Sequence, residues 1–285
     1  MRIARNGAAG LFCKVRFIIK SFTMKSKLAL PLVLSAVICC SAATVGPTRG
    51  TLMIVGGGAL GPELVDRFFL LAGGKDAPIV VIPTADGAAE YKPDYLSKTF
   101  LAKAGATHLT LLHTADRAQA DSPEFTVPLN EARAVWFVGG RQWHLVDSYL
   151  NTRTQKELDA LLKRGGVIGG SSAGATIQGS YLVRGARAGN ELMMAPGYEL
   201  GMGFLKNTAV DQHILTRKRE RDMAAVIKAH PELLGIGIDE GTAIIVRRNK
   251  FEVLGKSKVA ITTAGREMYF LKSGDSFDLK HRKQL

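Results

Sequence analysis

From residue 50 onward, short apolar runs alternate with longer segments of helical periodicity. The runs "TLMIV" (51–55), "APIVVIP" (77–83), "HLTLL" (108–112), "AVWFVGG" (134–140) and "GVIGG" (166–170) read as strands buried on both faces. Between them the spacing predicts helices over 62–72, 91–104, 144–148 and 154–164. Strands alternating with helices imply an α/β fold, a mostly parallel sheet with helices on both faces. The last third changes character. "LLGIGIDE" (233–240), "TAIIVRR" (242–248), "KFEVLG" (250–255) and "KVAITT" (258–263) are closely spaced strands, and "RRNKF" suits a hairpin turn. Antiparallel strands are therefore expected at an edge of the parallel sheet. No internal repeat or low-complexity segment interrupts the pattern.

In open α/β sheets, ligands bind at the carboxyl ends of the strands. Three glycine turns follow strands here, at 56–58, 139–140 and 169–170. The first, "GGGALG", formally matches G-x-G-x-x-G through Gly56, Gly58 and Gly61. The acid that should end the second strand of a dinucleotide site is missing, because Asp86 lies beyond Pro83. A tight turn without a cofactor is the simpler reading, with a nucleotide site as the alternative. The second turn, "VGGRQWHL" (138–145), is either a packing turn or a source of free N–H groups for an oxyanion. The third, "GSSAG" (170–174), fits the G-x-S-x-G elbow, whose serine sits on a sharp strand-to-helix turn. The frame selects Ser172, since moving it to Ser171 puts Ala173 where a glycine belongs. A small-residue packing turn is the competing reading.

A reactive serine needs a base, and the base needs an orienting acid. The chain offers His108, His113, His144, His213, His230 and His281. His213 ends the apolar run of "VDQHILTRKR" and reads as a strand end or loop. His144, beside the second glycine turn, is a lesser rival, and His230 before Pro231 reads as a helix end. For the acid, "GIGIDEGTA" places Asp239 and Glu240 after a buried strand, and strand alternation sends them to opposite sides. Only one can face the site. The cluster Arg217, Lys218, Arg219, Arg221 is either a solvated face or a grip for substrate carboxylates.

Composition narrows the class. The formal charge of +13 suggests nucleic acid at first sight. Residues 1–45, however, hold seven basic residues (Arg2, Arg5, Lys14, Arg16, Lys20, Lys25, Lys27) and no acid, which leaves +6 on the remainder. That is a mildly basic globular protein with no nucleic-acid signature. Lys25 and Lys27 precede the apolar run "LALPLVLSAVICCSAA", with small residues following, as in an export signal; Met24 is an alternative start. The expected organisation is a leader over 1–45, one domain over 46–285, and a periplasmic or secreted protein whose only tie to a membrane is that signal. The residues before Cys39 and Cys40 suit lipidation poorly. All three cysteines lie in the leader, so the remainder has no disulfide, thiol nucleophile or cysteine metal site.

Taken together, "TLMIVGGG", "AGGKDAPIVVIPTA", "VWFVGGRQWHL", "GGVIGGSSAGA", "DQH…R" and "GIGIDEGTA" resemble, in order, the cyanophycinase and dipeptidase E family of serine peptidases. The resemblance implies a class I glutamine amidotransferase-like fold, with serine where amidotransferases carry cysteine. It implies Ser172 as nucleophile, His213 as base and Glu240 as acid, with Glu191 as the fallback acid. It further implies the backbone N–H groups of Gly140 and Ala173 as oxyanion hole, and Gln142 and Arg217 as substrate contacts. The implied substrate is a peptide with an aspartyl or β-aspartyl linkage, cyanophycin or its fragments included, cleaved without metal or cofactor; a homodimer is allowed. Two departures bear on substrate. Arg217-Lys218-Arg219 stands where the family often has "RGR", and "RQWHL" is bulkier than usual. Another amide or ester hydrolase on this scaffold, or a non-catalytic binding module, are the alternatives.

Overall fold

The computed structural model describes residues 44–285; all but the last two residues of the expected leader lie outside the described residues. The first half runs β1 (Thr51–Val55), α1 (Pro62–Ala72), β2 (Ile79–Ile82), α2 (Tyr95–Lys98), α3 (Phe100–Lys103), β3 (Leu109–Leu111), α4 (Arg117–Ala120), α5 (Pro123–Glu131) and β4 (Ala134–Phe137). It continues through α6 (Gln142–Tyr149), α7 (Arg153–Lys163), β5 (Val167–Ser171), α8 (Ala173–Thr176), β6 (Gly179–Tyr181), β7 (Leu205–Gln212) and α9 (Met223–Ala229). The C-terminal strands are β8 (Leu234–Ile238), β9 (Thr242–Arg247), β10 (Lys250–Gly255), β11 (Lys258–Thr262), β12 (Tyr269–Lys272), β13 (Ser276–Asp278) and β14 (Lys283–Gln284).

These strands form two sheets. The larger has the order β14-β13-β10-β9-β1-β5-β4-β2-β3, in which β1, β5, β4, β2 and β3 are parallel and β9 joins β1 antiparallel. The α/β class and the antiparallel addition are as expected. The smaller sheet, β12-β11-β8-β7-β6, was not foreseen. Of the four C-terminal apolar runs, β9 and β10 extend the first sheet, while β8 and β11 leave it to pair with each other beside β7. Periodicity identifies strands but carries no information about which sheet a strand joins.

Continuous apolar strands follow from burial on both faces. In β1, Leu52 and Ile54 pack with Leu145, Leu158 and Leu161 of α6 and α7, while Met53 and Val55 pack with Leu64 and Phe68 of α1. The 91–104 segment begins its helix only at Tyr95, after Pro93, and breaks at Thr99. The Thr99 hydroxyl there accepts a hydrogen bond from the Ala102 N–H at 3.3 Å and caps α3. The carboxyl ends of β1, β4 and β5 in one sheet and of β7 and β8 in the other carry the residues described next.

Candidate active site

Between β5 and α8 the chain reverses at Ser172, with φ 57° and ψ −114°. A non-glycine residue in that region costs about 1–3 kcal/mol, which the surroundings must offset. The Ser172 N–H donates to the Val55 carbonyl at 3.1 Å, and its carbonyl accepts from Ala175 and Thr176 at 2.9 and 3.0 Å. A Cβ on Gly170 would lie 2.6 Å from the Gly174 carbonyl carbon, and one on Gly174 would lie 2.7 Å from Phe137 Cβ. The two flanking glycines are therefore a packing requirement of the elbow. The turn after β4 lies alongside: a Cβ on Gly139 would come within 3.2 Å of Ser172 Cβ.

His213 follows β7 with φ 56°, and its N–H donates to the Gly56 carbonyl at 2.9 Å. Its Nε2 is 2.9 Å from Ser172 Oγ and its Nδ1 is 2.6 Å from Glu240 Oε1. An ionised carboxylate can only accept, so Nδ1 carries the proton and Nε2 accepts the Ser172 O–H. Burial pushes the His213 pKa down; the Glu240 hydrogen bond opposes this, and the nearby Arg217 charge reinforces it, for a net lowering. The ring is thus neutral and able to take a proton near neutral pH.

The first glycine turn acquires a role from these contacts. A Cβ on Gly57 would sit inside the His213 ring, 2.6 Å from Nδ1 and from Nε2, and one on Gly58 would lie 2.7 Å from Glu240 Oε2. The space that a dinucleotide reading would assign to pyrophosphate is filled by the His213 ring and the Glu240 carboxylate. The sequence signal is the run of three glycines, which by itself reads as a tight turn or a nucleotide site.

Asp239 and Glu240 do diverge. Glu240 turns to His213, whereas Asp239 is buried and turns to the segment after it. Its carboxylate accepts from the Leu215 and Thr216 N–H groups at 3.0 and 2.9 Å and from the hydroxyls of Thr216 and Ser257 at 3.0 and 2.6 Å. Burial works to raise its pKa, but the Ser257 and Thr216 hydrogen bonds outweigh that and hold it below the usual value. Sequence reasoning missed this anchoring role. Glu191 is not brought to His213: it is largely exposed and pairs with Arg219 at 2.9 Å, because the segment carrying it runs beside the Arg219 turn. Gln142 opens α6 with its side chain buried, and its Nε2 donates to the Val183 carbonyl at 3.0 Å. Arg217 is exposed, one turn beyond His213, with its N–H on the His213 carbonyl at 2.9 Å.

Gly140 (φ 145°) follows β4, and Ala173 opens α8. Among the described residues neither N–H has a hydrogen-bond partner. Beside Ser172 opens a pocket of about 380 Å³. No cluster of three His, Cys, Asp or Glu suited to a metal occurs among the described residues.

Comparison with known proteins identifies the family. Peptidase family S51 matches residues 52–254. The chain belongs to peptidase family S51. It is 31% identical over 232 residues to a cyanophycinase of Geminocystis herdmanii, covering 79% of this chain and 85% of that one. A cyanophycinase of Nostoc sp. is 29% identical over 227 residues, covering 75% and 74%. Among solved structures, a peptidase from an acI-B1 Actinobacterium superposes with TM-score 0.64 at 27% identity, over 82% of this chain and 98% of that one. A putative peptidase E protein from Listeria monocytogenes shares the fold, with TM-score 0.54 at 15% identity, over 74% and 100%. As an S51 member the chain is a serine-type peptidase, and the reading as a non-catalytic binding module falls.

Proposed function

We propose that this S51 peptidase cleaves an amide bond by acyl transfer through Ser172, His213 and Glu240. The observation that carries the reading is the His213 ring held between the Ser172 hydroxyl and the Glu240 carboxylate. His213 Nε2 takes the hydroxyl proton as Ser172 Oγ attacks the carbonyl carbon. Glu240 holds the Nδ1–H tautomer and stabilises the imidazolium that forms. The Gly140 and Ala173 N–H groups receive the oxyanion, a contribution of about 3–4 kcal/mol per donor. Collapse of the tetrahedral intermediate breaks the C–N bond, and the leaving amine takes the proton from His213. Water then attacks the ester, giving its proton to His213, and Ser172 is regenerated.

We assign an aspartyl or β-aspartyl linkage to the substrate. Support comes from relatives named cyanophycinases and from the exposed guanidinium of Arg217 beside His213. An exported protein remains our reading of the leader's sequence. A fluorophosphonate should label the wild type and Ser171→Ala but not Ser172→Ala; labelling that survives Ser172→Ala would sink the mechanism. Cleavage of cyanophycin and of α- and β-aspartyl dipeptides tests the linkage, and release from none of them would remove it while leaving the triad standing.

A further inference from the structure

The pocket beside Ser172 has mostly apolar walls. Leu60, Val81, Tyr95, Thr99, Phe100, Trp136 and Val138 line it together with Ser172, and no charged side chain contributes. Phe100 packs edge-on against Trp136 with ring centroids 5.0 Å apart, which gives a rigid aromatic wall. Asp86, whose charge reaches the Tyr95 phenol, does not line the pocket; it is held by the Tyr91 hydroxyl at 2.5 Å and the Ala88 N–H at 2.9 Å. A lysine or arginine side chain entering here would be desolvated without a counter-charge. A volume of about 380 Å³ is ample for one large side chain.

We infer that this pocket binds a bulky apolar or aromatic side chain on the amine side of the scissile bond. The assignment rests on the proposed function: the acidic residue on the acyl side belongs to Arg217, which does not line the pocket, so the pocket serves the other side. This chain then selects aspartyl or β-aspartyl peptides whose second residue is large and apolar, and disfavours the arginine-bearing units of cyanophycin.

The test compares kcat/KM on aspartyl and β-aspartyl dipeptides ending in Phe, Leu, Gly or Arg. In parallel, it compares Ser172 labelling rates by a benzyl-bearing and a guanidinium-bearing fluorophosphonate of equal reactivity. Phe and Leu should exceed Arg by about tenfold or more, since filling an apolar site with the matching group commonly discriminates by that much. The benzyl reagent should lead by a similar factor. Leu60→Asp should erase both ratios by slowing the Phe and benzyl reactions more than the Arg and guanidinium ones. Thr99→Asp should act likewise and preserves the cap of α3, since aspartate caps as well as threonine. Equal rates in the wild type, an arginine preference, or ratios untouched by both variants would overturn the inference. If no aspartyl dipeptide is cleaved but Ser172 labels, the substrate reading and with it the amine-side assignment fail; because fluoride leaves and the benzyl group stays on Ser172, a benzyl preference then supports only an apolar pocket beside Ser172, and equal rates remove that too.

Discussion

At Gly57 the side chain is excluded because the His213 ring occupies its place. Gly57→Ala should therefore lower kcat/KM by about 100-fold or more through a displaced His213 ring, and should also lower the melting temperature, because φ is 120° there and an L side chain is strained in that conformation; unchanged activity would show that the ring can shift freely. His213 itself titrates below the ordinary histidine value of 6.5, burial being the main cause and the Arg217 charge a further one. The active form is the neutral ring, so kcat/KM should rise with pH through a pKa below 6.5 and then level off. Removing the positive charge in Arg217→Gln makes protonation easier, so the acidic limb should move to higher pH. A limb that stays in place would deny Arg217 its influence on the base. Ser172, His213 and the pair Asp239 and Glu240 are legible as candidates because each signal is local: a glycine frame, a strand end, an alternation; that they come together is implied only by the family resemblance, since proximity across 68 residues of chain is not a local property. The burial of Gln142 is not legible, because it depends on the distant Val183 carbonyl that α6 happens to face.

Between β7 and α9 the chain is held by Asp239, which gathers two backbone N–H groups and two hydroxyls from residues 215, 216 and 257. This anchor fixes the segment immediately after His213. Asp239→Asn keeps the size but loses the charge-assisted bonds, and should cost about 1–3 kcal/mol of stability and lower kcat more than KM; calorimetry and steady-state kinetics measure the two effects. The folded pKa of Asp239 lies below its ordinary 3.8, so the ionised form is favoured by folding. Its contribution is present above that value and disappears as the pH falls through the lowered pKa. A variant matching the wild type in both melting and turnover would remove the anchor from the account. Strands and long helices are legible at this scale because burial on both faces writes itself as unbroken apolar runs. The shortening of the 91–104 helix depends on Pro93 and the Thr99 cap, which interrupt an otherwise acceptable period.

Across the whole molecule, the residues of the site come from two sheets. Ser172 and the glycine turns stand at the ends of β5, β1 and β4 in one, while His213 follows β7 and Glu240 follows β8 in the other. The α/β class is legible from the alternation of elements, but the division into two sheets is set by long-range pairing that no local pattern encodes. Glu240 lies in the short crossing from β8 to β9, where the chain passes from one sheet to the other, and the next N–H, of Gly241, donates to the Gly57 carbonyl at 3.0 Å. Turnover in sub-denaturing urea should therefore decline before the far-ultraviolet circular dichroism does; coincident loss of the two signals would contradict this. The hydroxyl–imidazole–carboxylate line thus doubles as a vernier: a slip of one ångström between the two sheets, too small to register in secondary structure, is read out as lost chemistry.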